Sequence, residues 1–423
     1  MAAPMNPPLA TGIGPRLLDL PAAADLAAHR ARFGPLPADH GQLIARVEAA
    51  GLRGRGGARF PTAVKLAAVA RRRRPIVVVN ATEGEPASVK DKALLHQAPH
   101  LVLDGAAAAG MAIGAREIIV AVERSATATM EAAAAALAER SSARLDHVPI
   151  RLVGTPSRYV TGEETALIHW LNGGEAKPTL VPPRPFEQGV NGRPTLVDNA
   201  ETLAHLALIA RFGPQWYRRA GTADDPGTTL ITVTGAVTHP GVYEVEGGSP
   251  LAAAVEGAGS RLDELQAVLV GGYFGSWISV SEASQVTLGA ASLGLVGAAL
   301  GCGALVALPR GACGVAETAR ITRWMADQNA GQCGPCVFGL PALADQLAAI
   351  ARGGRSVEAA YRELSGLLPE IEGRGACRHP DGVVRFVRSA LRVFGTEIGE
   401  HHHRGPCAPS GPWLPTPTIG GWR

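Results

Sequence analysis

Three apolar runs constrain this chain most: "PIVVVN" (75–80), "EIIVAVE" (117–123) and "VPIRLVG" (148–154). Each is rich in β-branched residues and lacks strict polar alternation, which is the pattern of a strand buried on both faces. The intervening segments, 93–115 and the Ala-rich 125–140, read as helices. Helices that alternate with fully buried strands predict an α/β unit with a mainly parallel sheet, because parallel neighbours need long crossovers.

At 423 residues the chain exceeds one ordinary core, and the pattern changes along it. Residues 1–38 are Pro- and Ala-rich and form an N-terminal extension with weak order signals; the α/β unit is expected over 39–226. "GTADDPG" punctuates the chain, and "TTLITVTGAVTHPGVYEVEGGSPL", "LQAVLVGG" and "GALVALP" then predict a small β-rich domain over 227–311. Four amphipathic stretches predict a short-loop helical bundle over 312–398. The Pro- and Gly-rich tail 399–423 is expected to be disordered, with its three histidines solvated rather than bound to metal.

Net charge of +3 carries no nucleic-acid signal, and the run Arg71–Arg74 reads as a solvated face. Six cysteines do not make a disulfide framework, and the start lacks a signal-peptide plan, so a reducing cytoplasm is expected. The stretch from Ala283 to Pro309 carries no charge, but its five glycines and missing interfacial anchors mark a loop and a buried strand. No direct membrane insertion is expected; any membrane association comes through partners.

Several motifs carry chemistry. In "GLRGRGGARF", Gly51, Gly54, Gly56 and Gly57 interleave with Arg53 and Arg55. Bare backbone and cationic side chains suit a phosphate, and a plain structural turn suits the stretch equally. A helical segment precedes this loop, so it is not the usual dinucleotide fingerprint. "NATEGEP" follows the first strand, where the carboxyl ends of parallel strands meet ligands; that places Asn80, Thr82, Glu83 and Glu85, or a solvated acidic turn. In "YVTGEETALIHWL", Thr161 and Glu164 fit a capping box, and in "VDNAETLAHL" Asp198 stands as N-cap with Glu201 three on. Cys333 and Cys336 form a C-x-x-C pair, and Cys377 follows in "GACRHPDG". The pair alone fits a metal, a redox dithiol or neither.

In this order and approximate spacing, these motifs resemble the NADH-oxidising flavoprotein subunit of respiratory complex I. The flavin subunits of bidirectional hydrogenases and NAD-dependent formate dehydrogenases carry the same series. The resemblance covers roughly residues 40–395. It implies a Rossmann-like FMN-binding domain, a ubiquitin-like (β-grasp) domain and a helical iron–sulfur domain. It further implies FMN taking hydride from NADH and a [4Fe–4S] cluster receiving single electrons. Partner subunits with iron–sulfur centres carry them onward. By motif position, Gly54, Arg55, Gly56, Gly57 and Lys65 lie along the flavin phosphate. Asn80, Thr82, Glu83, Tyr159, Gly162, Glu163, Glu164, Asp198 and Asn199 line the flavin, and Phe60 and Glu85 face the nicotinamide nucleotide. Cys333, Cys336 and Cys377 hold the cluster. The hydride acceptor is the flavin, so no side chain is assigned as catalytic.

The chain departs from that family pattern. Ala330 stands where the first cluster cysteine belongs. A substitute ligand (water, a small molecule, Cys302, Cys313 or Cys407), a three-iron cluster and an empty site all remain open. Arg59 replaces a loop glycine, Ala68 and Arg184 replace clamping aromatics, Thr82 replaces an aspartate and Asp198 an asparagine; Arg59 and Arg184 either grip a phosphate or block the site. The alternative to electron transfer is a flavin-binding or structural subunit that has lost NADH oxidation.

Overall fold

The computed structural model describes residues 14, 16–21, 24–38, 41–408 and 411–423. The start of the chain, including the segment compared with a signal peptide, thus lies largely outside the described residues. Four strands, β1 (Ile76–Ala81), β2 (Glu117–Glu123), β3 (Ile150–Thr155) and β4 (Thr195–Asn199), form an all-parallel sheet in the order β3-β2-β1-β4. Val77, Val78, Val79 and Ile118 to Val122 are fully buried, as the unbroken apolar runs require. β1 lies between β2 and β4, so the chain reverses its winding beside β1. The crevice at the carboxyl ends of β1 and β4 is therefore the natural ligand position. β4 has no clear signature in the sequence pattern, because Asp198 and Asn199 disguise the end of a short strand.

Five more strands complete the β inventory of the described residues. β5 (Thr228–Gly235), β6 (Gly241–Glu246), β7 (Leu265–Val270), β8 (Ser276–Ser279) and β9 (Ala304–Pro309) form a second sheet, ordered β6-β5-β9-β7-β8. The first and last of these strands pair parallel at the centre and the other pairs are antiparallel, which is the β-grasp arrangement. The uncharged 283–309 stretch supplies a short helix, Ala290–Leu295, and the buried β9. Among the described residues, no helix is long and apolar enough to cross a membrane.

Helices Gly314–Asp327, Leu340–Arg352, Val357–Ile371, His379–Val393 and Gly395–Arg404 form the bundle. Their buried Leu343, Leu347, Leu364, Val383, Phe386 and Val387 share one core with Trp277 of β8. Two expectations fail at the termini. Within the N-terminal extension, the helix Leu26–Phe33 packs Phe33 into the main core alongside Leu17. The described residues of the tail are ordered: helix continues to Arg404, Leu414 is buried, and Trp324 Nε1–H donates to the Pro417 carbonyl at 2.9 Å. The Arg158 guanidinium also lies 3.9 Å over the Trp422 ring. Proline-rich composition signals disorder, but extended chain with Leu and Trp anchors docks without needing regular structure.

Candidate functional site

The glycine-rich loop joins helix Leu43–Ala50 to helix Thr62–Ala70 and is pinched at its base. Arg53 bridges Pro61, and Gly54 N–H donates to the Phe60 carbonyl at 2.9 Å. Arg55 N–H bonds Thr202 Oγ1 at 2.9 Å, which seats the loop on the helix Ala200–Tyr217. Among the described residues, the N–H groups of Gly56 and Gly57 have no protein acceptor. A Cβ on Gly56 would stand 3.5 Å from Asn199 Cβ, an ordinary contact, so the glycine leaves this side of the loop bare without sterics demanding it. Lys65 Nζ donates to the Val197 carbonyl and lies 3.6 Å from both Glu164 and Asp198 carboxylates. Unpartnered N–H groups and a partly exposed ammonium at the carboxyl end of β4 form a fitting cradle for an anion.

The opposite wall comes from β1. Asn80 Nδ2–H donates to the Gly162 carbonyl at 2.8 Å, and Thr82 Oγ1–H donates to Asn80 Oδ1 at 2.6 Å. A Cβ on Gly162 would meet Thr82 Oγ1 at 2.8 Å, so this glycine permits the close approach. Asp198 Oδ2 is buried and has no hydrogen-bond partner, and burial raises the carboxyl pKa despite Lys65. Phe60 stays 53% exposed beside the loop, a free apolar ring at the crevice mouth.

Three expected roles are corrected by local geometry. Thr161 and Glu164 form no capping box, because Tyr159–Gly162 is a 3-10 turn and Glu163 is the N-cap. Glu163 Oε2 accepts from the N–H groups of Thr165 and Ala166, both at 3.0 Å. Asn199, not Asp198, caps the helix Ala200–Tyr217: its Oδ1 accepts from Thr202 N–H, while Asp198 remains in β4. Arg59 neither grips an anion nor fills the crevice; at φ 50° its side chain turns to Asp225 in an ion pair.

Other residues face elsewhere than their motif suggests. Glu83 adopts φ 35°, and its carboxylate accepts from Asp91 and Lys92 N–H at the start of helix Lys90–Gln97. The Arg55 guanidinium is buried against Tyr217 Oη and the Pro226 carbonyl, away from the open loop face. Asn199 Nδ2 is held by Asp91 at 3.1 Å. No sequence pattern marks the buried set behind them, in which Lys90 Nζ bonds Glu201 at 2.7 Å and Asp91 at 3.1 Å. Lys90 and Glu201 lie more than a hundred residues apart.

Glu83, Glu85 and Tyr159 line a cavity of about 1350 Å³ with Lys92, Trp324 and the Pro415–Gly420 segment. Tyr159 O–H and Tyr273 N–H donate to Glu85 Oε2 at 2.9 and 2.8 Å. Burial outweighs these donors and, with Glu83 adding repulsion, pushes the Glu85 carboxyl from the usual 4.5 up to about 7. The sign follows: the folded state holds this proton more tightly, so stability falls as pH rises from 4.5 to 7. The difference is at most about 3 kcal/mol. Glu85→Gln is expected to flatten the melting temperature between pH 5 and 8 relative to the parent. Equal slopes in the two proteins, followed by scanning calorimetry, would remove Glu85 as the source.

The three cysteines of the bundle come together. Cys336 N–H and Val337 N–H both donate to the Cys333 carbonyl, at 3.1 and 3.0 Å, which turns both side chains at the start of the π-helix Pro335–Gly339. Burial, then the neighbouring Cys333 and Cys377, raise the Cys336 thiol pKa. Burial likewise raises Cys377, with Glu163 and Cys333 as charge neighbours. Glu163, the N-cap on the crevice side, is therefore within electrostatic range of Cys377. Ala330 offers no ligand atom, and Cys313 and Cys407 are engaged with each other and with His401.

Residues 47–208 match the Nuo51 FMN-binding domain, 230–266 the SLBB domain, and 316–401 the NADH-ubiquinone oxidoreductase-F iron–sulfur binding region. An NADH-quinone oxidoreductase F subunit of Rhizobium meliloti is 31% identical over 86% of this chain and 90% of its own. The chain belongs to the family of NADH-quinone oxidoreductase F subunits. The F subunit of Streptomyces coelicolor is 32% identical over 85% of this chain and 82% of its own. A solved NAD+-reducing [NiFe]-hydrogenase in the H2-reduced state superposes with TM-score 0.79 at 29% identity. That match covers 93% of this chain and 67% of the hydrogenase chain. The matched iron–sulfur region encloses Cys333, Cys336 and Cys377 but excludes Cys313 and Cys407.

Proposed function

We propose that this chain is the NADH-oxidising FMN subunit of a larger electron-transfer assembly. It passes electrons to an iron–sulfur cluster and then to iron–sulfur partner subunits. One observation carries the reading: Glu163 caps the crevice helix and is also a charge neighbour of Cys377. That one carboxylate caps the crevice helix and acts electrostatically on a cysteine of the set supports a short path from electron entry to electron exit.

The residues divide the work. Gly56 and Gly57 N–H with Lys65 hold the flavin phosphate. Asn80, Thr82, Gly162, Glu164 and Asp198 meet its polar edge, and Phe60 offers a ring to the nicotinamide nucleotide. Cys333, Cys336 and Cys377 supply thiolates, and Ala330 supplies no fourth. Flavin, when bound, accepts a hydride and returns electrons singly, the step no side chain here can perform. The role of this chain is to orient the donor, exclude water and keep the acceptor close.

The test is an anaerobic NADH titration of the purified chain, with flavin and iron quantified beforehand. Bleaching of the flavin band at about one NADH per flavin is expected. Bound flavin that NADH leaves oxidised would favour a structural subunit, the reading encouraged by Ala68, Arg184 and Ala330 standing where clamping aromatics and a cluster cysteine are expected.

A further inference from the structure

Four ligand-type side chains from distant parts of the sequence meet at one end of the bundle. The Cys313 and Cys407 sulfurs, a Glu397 oxygen and a His401 nitrogen all lie within 4.8 Å of one another. Cys313 precedes the helix Gly314–Asp327; Glu397 and His401 share one face of Gly395–Arg404; Cys407 lies three residues past it. Their contacts form a closed set. Cys313 Sγ is 3.0 Å from Glu397 Oε1 and 3.5 Å from His401 Nε2, and Cys407 Sγ is 3.2 Å from the same nitrogen.

Each group is oriented from behind. His401 is fully buried, and its Nδ1 faces the Ile350 carbonyl at 3.0 Å. A carbonyl only accepts, so Nδ1 carries the proton and Nε2 presents its lone pair between the sulfurs. That is the tautomer and support found for ligating imidazoles. The Cys407 N–H also approaches Nε2, at a long 3.3 Å. Glu397 is fixed by Val315 N–H at 2.8 Å on one oxygen and by Gln266 Nε2 at 2.7 Å on the other. Cys313 Sγ receives Ala316 N–H at 3.2 Å.

We infer that Cys313, Glu397, His401 and Cys407 form a structural site for a divalent cation of the zinc class, separate from the three-cysteine cluster site. Two thiolates, an imidazole and a carboxylate suit tetrahedral zinc and exclude the oxygen-seeking magnesium and calcium. Binding displaces the two thiol protons to solvent, and the metal takes the place of the S–H between Cys313 and Glu397. The ion would tie the start of one bundle helix to the end of another and to the segment leading into the docked tail. The histidine run read as solvated tail thus contributes a buried ligand through His401 alone; His402 and His403 are not in the group.

The test uses the full chain, purified anaerobically under reducing conditions. Elemental analysis is expected to find about one zinc per chain beyond any iron. After exchange with Co2+, intense visible bands with thiolate charge transfer are expected. Cys407→Ser, a change at an exposed residue, should weaken those bands and lower zinc while leaving iron and flavin content unchanged. His401→Ala should remove both signals. Absence of zinc together with no cobalt spectrum overturns the site. A Cys313–Cys407 disulfide in the reduced preparation, seen by intact mass, overturns it too. So do cobalt bands that survive Cys407→Ser and His401→Ala but vanish with Cys336→Ala.

Discussion

Cys336→Ala is expected to cut electron exit while leaving NADH able to reduce the flavin. Cys336 is only 3% exposed, and the substitution removes a sulfur without adding bulk or charge, so the bundle should still fold. Outer-sphere partners alone change metal affinity by about 10- to 100-fold, so losing a ligand from a set already short at Ala330 should exceed that range. Iron content should collapse, and NADH-driven reduction of a protein acceptor such as cytochrome c should fall by at least about 100-fold. Rapid-mixing traces of flavin bleaching should stay near the parent rate. The reciprocal change, Ala330→Cys, should raise iron content and slow cluster loss in air. Full iron and undiminished acceptor turnover in Cys336→Ala would show that electrons leave by another route.

The parallel sheet and the three-cysteine set are legible in the sequence because each rests on a local signal. Unbroken β-branched runs mark buried strands, and cysteine spacing is written directly in the order of residues. Side-chain direction is not legible. Glu83 and Glu85 are two residues apart, yet one carboxylate caps a helix and the other sits under Tyr159 in a cavity. The positive φ at Glu83 decides this, and nothing in "TEGEP" announces it. Capping also misleads: Thr161 and Glu164 have the right spacing, but the 3-10 turn moves the helix start to Glu163, whose own carboxylate serves the N–H groups. Long-range pairs such as Arg59 with Asp225, or Cys313 with His401, have no one-dimensional signature at all.

Lys65→Met is expected to cut selectivity for FMN over riboflavin. In the parent, Lys65 is the cation beside the unpartnered Gly56 and Gly57 N–H groups, and a charged hydrogen bond to phosphate is worth about 1.5–3 kcal/mol. That corresponds to roughly 10- to 150-fold in FMN affinity. Lys65 has a second role that would mimic this loss. It lies 3.6 Å from both Glu164 and Asp198, and Asp198 is buried with one oxygen unpartnered. Removing the cation leaves two carboxylates facing each other, which weakens the crevice for any flavin. Riboflavin separates the two roles, because it lacks the phosphate but keeps the ring. If Lys65 grips phosphate, the variant loses FMN affinity far more than riboflavin affinity, and Lys65→Arg restores part of the difference. If Lys65 serves only as counter-ion to Glu164 and Asp198, both ligands weaken by the same factor. Fluorescence titration of the two flavins against parent and variant reads that ratio directly, and a ratio unchanged by the substitution would remove Lys65 from the phosphate site.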